Sequence, residues 1–411
     1  MPSQTCRIRR AIMTLNLLLD LDDTLLFSNM ESFIPAYFQA LSETLQDLVS
    51  PEIMLQALMG GTKRMLGKID PEHSLKEIFD NYFYTKIGFH HEELQKKIND
   101  FYDDIFPKLS YLTKQRPEAI VFVKWAFDQG YRIIIATNPL FPLKAIQHRL
   151  RWAGLSPEDY PYTLISSYEN FHFTKENISY FPEILGKLGW PDDPVVMVGN
   201  DLKMDIEPAM KAGLPVFWVK DETIFKDERG NIPQGQISEV RAWLEAVPNG
   251  SLQHSIQQPT ALVATLRSIP AVLEGIVITL NEDELGYRTS SEEWSIKEVI
   301  CHLRDVEVEV NIPRIQKILS IDNPFVAGEI TDPWVTERNY AGQNGLEALQ
   351  GYIKARKETI NLTSNLILEW DRPVRHSIFG ASTLLELVGV MVGHDKAHIR
   401  QIHQTIVQLR R

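Results

Sequence analysis

The segment LLLDLDDTLLF, residues 17–27, places three aspartates and a threonine directly after a run of leucines. A short apolar run closed by polar residues is typical of a strand buried in a protein core. Carboxylates beside such a run are costly unless they are paired or bind a cation. We therefore expect a buried strand whose carboxyl end carries Asp20, Asp22, Asp23 and Thr24 to a polar site.

Three later segments have the same composition and define the fold class. RIIIATN (132–138), PVVMVGND (194–201) and LPVFWVKD (214–221) are apolar, rich in β-branched residues and separated by helical stretches. This alternation predicts βαβ units and an α/β Rossmann-like parallel sheet. Ligands of such sheets bind beyond the carboxyl ends of the strands. The polar residues expected at that edge are Asp20, Asp22, Thr24, Thr137, Asn138, Asn200, Asp201 and Asp205.

The remaining sequence predicts two helical regions. Residues 27–115 have a mostly helical pattern that is too long for a βα connection, so we expect an inserted α-helical cap. PNGSLQHSIQQP has the composition of a linker, and an all-α four-helix bundle is expected beyond it, with helices near 258–280, 295–320, 345–369 and 380–408. The predicted domains are 1–247 and 257–411, with the linker at 248–256.

Composition narrows the functional classes. The chain has 411 residues, of which 44% are hydrophobic, and its formal net charge of −12 argues against a general affinity for nucleic acid or anionic membrane. Cys6 and Cys301 are too few for a disulfide framework and fit a reducing compartment. The leader lacks a small-residue cleavage site, and no apolar run approaches the roughly 18 residues of a membrane span. A cytoplasmic location is expected.

The acids at the strand ends suit phosphoryl transfer. Asp20 could attack an electrophile while Asp22 exchanges a proton with the leaving group or with water. A negatively charged phosphoryl group needs Mg²⁺ before a carboxylate can approach it, and Asp201 and Asp205 could complete an oxygen-rich site for that cation. Singly, such residues at strand ends are often only helix caps. The candidates for binding the substrate's phosphoryl group are Thr24, Thr137, Asn138 and Lys175.

These residues fall into four motifs. DLDDTL (20–25), IIIATN (133–138), Lys175 in TKENISYF and VGNDLKMDIEPAMKAG (198–213) resemble the motifs of the haloacid dehalogenase-like (HAD) hydrolase superfamily. The resemblance implies that Asp20 is a nucleophile that forms an aspartyl-phosphate and that Asp22 is the proton shuttle, while Thr137 and Lys175 bind the phosphoryl group. It favours a phosphatase over a dehalogenase, because family members that remove halide do not need the second acid.

The fourth motif leaves one metal ligand open. Many relatives have Asp directly after the glycine, whereas here Gly199 is followed by Asn200 and then Asp201. Either Asp201 binds the metal with Asn200 as a nearby oxygen donor, or the register differs by one residue. We favour Asp201, with Asp205 as a second ligand or a supporting group. By the resemblance, Asp20 and the backbone carbonyl of Asp22 complete the Mg²⁺ site, and Asp23 has no chemical role.

A second site is predicted in the bundle. VGVMVGHDKAHIRQIH places His394 and His398 four residues apart on one helical face with apolar neighbours. SIKE (295–298) has the form of a capping box that opens a helix, and His302 then falls beside its apolar stripe. Three imidazoles could hold Zn²⁺, Ni²⁺ or Fe²⁺. A lone inward histidine is more often a hydrogen-bonded core residue.

The bundle also resembles a known family. EEWSIKEVICHLRDVE and GHDKAHIRQI are similar to segments of the DinB/YfiT-like four-helix bundles, over about residues 257–408. The resemblance implies that His302, His394 and His398 are the metal ligands. Cys301, next to His302, is expected to pack in the core.

The leading functional hypothesis is a Mg²⁺-dependent phosphatase that acts on a small phosphorylated metabolite and is fused to a metal-binding bundle. One alternative is a metal-dependent, thiol transferase-type activity in the bundle. The other is a non-enzymatic bundle that binds or dimerises and so regulates the hydrolase. DinB-like bundles often pair, so the resemblance implies a homodimer.

Overall fold

The first half of the chain is built on strands that follow apolar segments of the sequence. The computed structural model describes residues 14–220, 232–248 and 250–410, and Cys6 lies outside these ranges. The strands described before residue 248 are β1 Asn16–Leu19, β2 Leu26–Ser28, β3 Thr113–Gln115, β4 Arg132–Ile135, β5 Leu164–Ile165, β6 Val195–Gly199, β7 Val216–Val219 and β8 Gln234–Gly235.

A parallel sheet of six strands brings the predicted polar residues to one edge. Its order is β5-β4-β1-β6-β7-β8, and every neighbouring pair is parallel. All four residues of β1 are buried, and Leu19 aligns with Ile135 of β4 and with Val198 of β6. The residues after these three positions therefore emerge side by side. The predicted α/β Rossmann-like parallel sheet is confirmed.

Helices cover the sheet and form the cap. Their bounds are α1 Met30–Leu45, α2 Pro51–Leu66, α3 Leu75–Ile87, α4 His91–Asp100, α5 Pro117–Asp128, α6 Leu143–Trp152, α7 Tyr180–Lys187, α8 Glu207–Lys211 and α9 Ile237–Ala246. The cap consists of α1 to α4, as predicted, and its two connections to the sheet are joined by the antiparallel pair β2 and β3. Ser74 and Glu77 form a capping box that begins α3, and Gly88 ends it in the left-handed conformation.

The second half is mainly helical. Its elements are α10 Pro259–Val277, α11 Glu282–Leu285, α12 Ile296–Val306, α13 Ile312–Ser320, β9 Phe325–Val326, α14 Trp334–Glu337, α15 Gly345–Ser364, β10 Pro373–His376, β11 Gly380–Thr383 and α16 Leu384–Leu409. The four predicted long helices are present, and the predicted capping box of Ser295 and Glu298 begins α12. Cys301 is buried in the core, as expected.

Two features of the bundle differ from the prediction. The helix predicted over 295–320 is divided by a π-helical turn at Glu307–Asn311, which joins α12 to α13. Residues 380–383, predicted as the start of the fourth helix, form instead the second strand of the hairpin of β10 and β11, and α16 begins only at Leu384. Pro373 cannot continue a helix, and the alternating exposed and buried residues of β10 are typical of a strand.

Helix α10 joins the two halves. Among the described helices, it alone is long and apolar enough to cross a membrane, but 67% of its apolar window is buried inside the protein. It packs against α7 of the first half and α15 of the second, and one hydrophobic cluster runs from Leu18 and Met197 of the sheet to Val272 of α10. The domain limits stay predictions, because a single core spans them.

The contact between α7 and α10 predicts an effect of a small substitution. A methyl group at Gly186 of α7 would lie 2.4 Å from Cγ2 of Val272. We expect Gly186→Ala to lower the free energy of unfolding by about 1–3 kcal/mol through overpacking. The measurement is thermal or denaturant unfolding of the full chain.

Gly389 in α16 is the matched control, since a methyl group there would have no neighbour within 4 Å. Gly389→Ala should raise the free energy of unfolding by roughly 0.5–1 kcal/mol through helix propensity alone. Equal effects of the two substitutions would contradict close packing between α7 and α10.

Candidate active site and metal site

Asp20 lies at the carboxyl end of β1, at the bottom of a buried ionic cluster. The side chain of Lys175 is 2% exposed, and its Nζ donates hydrogen bonds to Oδ1 of Asp20 at 2.6 Å and to Oδ1 of Asp205 at 2.6 Å. Asp205 follows β6 in a π-helical turn, Leu202–Ile206, and is itself buried. Three separate segments of the chain thus meet at one ammonium group.

The charges of this cluster act on one another in opposite directions. Burial and the Asp20 carboxylate raise the pKa of Asp205, and Lys175 offsets them only in part. Burial opposes the charge of Lys175, but the two carboxylates outweigh it, so the pKa of Lys175 is raised. With both acids ionised the cluster has one more negative charge than positive. A divalent cation placed beside it would reverse that sign and make the site attractive to a phosphoryl group.

Thr24 and Asn200 lie on the other side of Asp20. The Thr24 hydroxyl is 2.9 Å from Oδ2 of Asp20 and 3.1 Å from Oδ1 of Asn200, so that it can donate to either oxygen. The amide oxygen of Asn200 is therefore held close to the Asp20 carboxylate. Asn138 accepts a hydrogen bond from the backbone N–H of Lys175 through Oδ1, at 3.3 Å. The predicted residues Asp20, Thr24, Asn138, Lys175, Asn200 and Asp205 are brought together.

Thr137 is fixed at the edge of the sheet by its backbone. It is 4% exposed, and its carbonyl oxygen accepts hydrogen bonds from Ser166 Oγ at 2.8 Å and from the Tyr180 hydroxyl at 2.9 Å. Both partners are buried and belong to the segment that also carries Lys175. Hydrogen bonds therefore connect the second motif, which ends at Thr137 and Asn138, with the segment that contains Lys175.

Asp201 is placed differently from the neighbouring motif residues. Its side chain is exposed, and Oδ1 accepts from the backbone N–H groups of Lys203 and Met204, which makes it the cap of the π-helical turn. Asn200, one residue earlier, faces Asp20 instead. Position 199, just before them, has no room for a side chain, because a methyl group there would lie 2.3 Å from Oδ2 of Asp205. This geometry favours Asn200 over Asp201 as the oxygen donor nearest Asp20.

Asp22 has a partner that was not predicted from the sequence. Its carboxylate forms an ion pair with Arg149 of α6, whose side chain is 1% exposed and lies over the rings of Phe33 and Phe141. Burial lowers the pKa of Arg149 to about 10. Arg149 occupies the buried face of α6 with Ile146 and Leu150, so its helical spacing was a signal available in the sequence.

The three predicted histidines of the bundle converge. His302 of α12 is buried, and its Nε2 lies 3.2 Å from Nε2 of His394, which lies 3.2 Å from Nε2 of His398. A ligand atom from each lies within 4.8 Å of the other two. The ring of Trp294 stacks on His398 and contacts His302, closing one side of the group.

These histidines fit a transition-metal site. Burial and the neighbouring imidazoles lower the pKa of His302 to about 3, and burial followed by His394 lowers the pKa of His398 to about 4. Both rings are therefore neutral near pH 7 and can offer a lone pair. The Nε2 atoms of His302 and His398 both face Nε2 of His394, and a Zn²⁺, Ni²⁺ or Fe²⁺ ion would use nitrogens that converge in this way as ligands.

A buried ionic network fixes the helices that carry the histidines. Arg356 of α15 is fully buried and donates to Glu307 at 2.7 and 2.9 Å and to Asp395 at 2.6 Å. Glu307 belongs to the π-helical turn after α12, and Asp395 follows His394 on α16. Sequence reasoning missed this network, because its members are far apart in the chain and each resembles a solvated charge.

The histidine cluster predicts a measurable metal content. We expect the purified full-length protein to retain about one transition-metal ion per chain at this site, and the double variant His394→Ala, His398→Ala to lose it. The measurement is elemental analysis. Chelation should also lower the unfolding temperature of the unmodified protein but leave the double variant unchanged.

His403→Ala is the matched control, since His403 lies on another face of α16 and packs against Gly189 instead. It should keep the metal. Equal metal content in all three proteins would rule out this cluster as the site.

Comparison with known proteins finds two kinds of relative. A family model described as the DinB superfamily matches residues 264–402. A curated protein of Oceanobacillus iheyensis, named as a putative metal-dependent hydrolase, is 24% identical over 139 residues, which is 33% of this chain and 79% of that protein. YfiT from Bacillus subtilis, a solved structure with an unusual four-helix bundle topology, is 19% identical, with a TM-score of 0.35, and covers 40% of this chain and 93% of its own.

Other solved structures resemble the first half. A HAD phosphatase from Thermococcus onnurineus has 19% identity and a TM-score of 0.36, and covers 59% of this chain and 100% of its own. The 2-haloacid dehalogenase from Pseudomonas syringae has 19% identity and a TM-score of 0.41, and covers 57% and 98%. The match of the DinB superfamily model to residues 264–402 confirms the resemblance predicted for the bundle. The parallel sheet of the first half agrees with the fold that the HAD-like motifs imply.

Proposed function

We propose that the first half of the chain is a Mg²⁺-dependent phosphatase that hydrolyses a small phosphorylated metabolite through an aspartyl-phosphate on Asp20. The observation that carries the proposal is the buried contact of Lys175 with both Asp20 and Asp205. An ammonium group held between two carboxylates orients the Asp20 nucleophile and offers positive charge to phosphoryl oxygens. A purely structural ion pair would not need to lie at the open edge of a parallel sheet.

In this mechanism a carboxylate oxygen of Asp20 attacks phosphorus, and the bond from phosphorus to the ester oxygen breaks. Asp22 gives a proton to the departing alkoxide, which leaves as the alcohol. Asp22 then takes a proton from water, whose oxygen attacks phosphorus and releases inorganic phosphate and the Asp20 carboxylate. Arg149 pairs with Asp22 and also lies over the ring of Phe141, so we expect the alcohol to leave near this ring.

Mg²⁺ would be held by oxygen atoms of Asp20, the Asp22 backbone, Asn200 and Asp205, with Asp201 retained as the helix cap. Bound there, it supplies positive charge that offsets the negative charge of the phosphoryl group as Asp20 approaches. Lys175 and Thr137 orient the phosphoryl oxygens at the same edge. Because Asn200 is neutral, the site with Mg²⁺ bound would have a more positive net charge than a site with an acid at this position, and it would attract the negatively charged substrate more strongly.

The cap determines which alcohol is accepted. A cavity of about 260 Å³ lies between the cap helices and the segment after Asn138. Its walls are mostly apolar and aromatic, with residues from the cap and from the loop before α6: Leu41, Leu58, Phe79, Phe83, Leu140 and Phe141. Phe141 also contacts Arg149, which places the cavity next to the proposed proton shuttle. We propose a substrate whose alcohol is apolar or aromatic.

The nucleophile is tested by the pair Asp20→Asn and Asp23→Asn. The first should abolish Mg²⁺-dependent hydrolysis of 1-naphthyl phosphate, because an amide cannot form the acyl phosphate. The second should retain it, because Asp23 accepts a hydrogen bond from the Ser28 backbone and has a positive φ of 57° that Asn tolerates. Release of phosphate is the measurement. Full turnover by purified Asp20→Asn protein would refute the mechanism.

The alcohol specificity is tested by the ratio of kcat/KM for 1-naphthyl phosphate to that for glycerol phosphate. We expect a ratio of about ten or more, since burial of an aryl group is worth roughly 25 cal/mol per Å². Phe79→Ala opens the cavity wall and should reduce the ratio. Phe127→Ala, a partly buried phenylalanine outside the cavity, should not. A ratio near unity in the unmodified protein would contradict an apolar alcohol site.

The bundle offers a second candidate function. Its three converging histidines favour the alternative stated above, a metal-dependent reaction of the thiol-transferase type. A non-enzymatic role requires only that the bundle bind its neighbours. Metal content separates the two, because a binding module has no need of the ion. The expected homodimer remains a proposal that sedimentation velocity would test.

A further inference from the structure

A cavity of about 430 Å³ lies where the cap, the segment after Lys175 and the bundle meet. The cap contributes the end of α2 and Lys68, the second wall is residues 176–178, and the bundle contributes α10, the end of α15 and Trp370. None of the residues assigned above to the phosphatase or metal sites lines it. The cavity exists only because both halves of the chain are present.

Arg267 of α10 is an unneutralised cation in this cavity. Its Nη2 donates to Ser364 Oγ at 3.2 Å, and among the described residues it contacts no carboxylate. Burial lowers the pKa of Arg267, with no neighbouring acid to raise it again. Burying part of a guanidinium beside a neutral hydroxyl group is unfavourable unless an anion completes the environment.

Lys68 is the second such cation. It is 7% exposed, its Nζ donates to the backbone carbonyl of Asp70, and it lies 5.3 Å from the centre of the Phe173 ring. Burial lowers the pKa of Lys68 to about 8, although Glu183, Asp70 and Glu274 are near enough to counteract it in part.

Those three acids have closer partners of their own. The carboxylate of Asp70 pairs with Lys357, and those of Glu183 and Glu274 both contact His172. No carboxylate of the described residues lies within ion-pair distance of Lys68. Two cations without contacting acids therefore line one cavity.

We propose that this cavity binds a small monocarboxylate with an apolar body. The two cations and the exposed Glu176, the acid among the lining residues, give the walls a net charge of one positive unit. That charge matches a monoanion better than a phosphate dianion. Arg267 presents a planar fork suited to a carboxylate, the Ser364 hydroxyl lies beside it, and Thr260 adds a second hydroxyl group to the cavity wall.

The rest of the wall accounts for the apolar body. Leu66, Val263, Leu366 and Trp370 supply apolar surface to the cavity wall. A carboxylate alone would leave this surface in contact with water. A chain or ring of several carbons would cover it and gain affinity from the area removed from water.

The occupant would touch the loop that positions the catalytic lysine. Residues 176–178 directly follow Lys175, and Asn177 donates from Nδ2 to the Lys68 carbonyl at 3.4 Å. Binding in the cavity would thus bear on the cap, the loop and α10 together. This coupling rests on the proposed phosphatase, whereas binding itself does not.

The test is titration calorimetry of the full chain with octanoate, and with octanol as the neutral probe of the same length. We expect saturable octanoate binding at one site per chain and at least about tenfold weaker binding of octanol, because the charge-assisted hydrogen bonds are lost. Arg267→Met and Lys68→Met should each lower the affinity for octanoate by about tenfold or more. Arg375→Met, at an exposed arginine of β10, should not.

Two further variants locate the site. Val263→Phe fills the cavity without altering its charge and should also abolish octanoate binding. Because this variant keeps both cations, the test still gives a result if one of the charge variants fails to fold. Phe79→Ala changes the cap cavity and should leave octanoate binding unchanged. The proposal is overturned if octanoate binds with no higher affinity than octanol. It is also overturned if the Arg267→Met and Arg375→Met variants bind octanoate with equal affinity. Inactive Asp20→Asn protein should still bind it, so failure of the phosphatase mechanism gives a different result.

Discussion

The ammonium group of Lys175 is the interaction on which the arrangement of the first half depends. It lies between the carboxylates of Asp20 and Asp205, which burial would otherwise force apart or protonate. These acids belong to the end of β1 and to the turn after β6, so one side chain fixes the relative position of two strand ends. The same contact sets the charge of the site, and chemistry at the sheet edge follows from it.

The position of Lys175 is set in turn by the second half of the chain. His172, three residues earlier, contacts Glu183 of α7 at 2.8 Å and Glu274 of α10 at 3.1 Å. Glu183 also accepts the backbone N–H groups of His172 and Phe173. The backbone that leads to Lys175 is therefore anchored on one side to a helix of the bundle. The placement of this loop and the docking of α10 therefore depend on the same contact.

Sequence patterns could predict the features that depend on residues close together in the chain. The apolar run before Asp20 gave the central strand, and the spacing of His394 and His398 placed two ligands on one face of α16. Partners separated by long stretches of chain could not be predicted, as with Arg149 for Asp22 or Arg356 for Glu307. The sequence also could not decide between Asn200 and Asp201 as the metal ligand, because helix capping and metal binding use the same carboxylate oxygens and the position of each side chain depends on the backbone path.

The shared core between α7 and α10 has a consequence for how the chain folds during synthesis. The sheet and the cap leave the ribosome first, and domains generally fold in that order. Helix α10 is synthesised later. Until then, the nascent first half has an exposed apolar face on α7, which lacks its partner Val272, and it lacks the contact of His172 with Glu274. On this order of folding, the proposed hydrolase site would be completed only after α10 is synthesised, and the bundle would act as an internal folding partner.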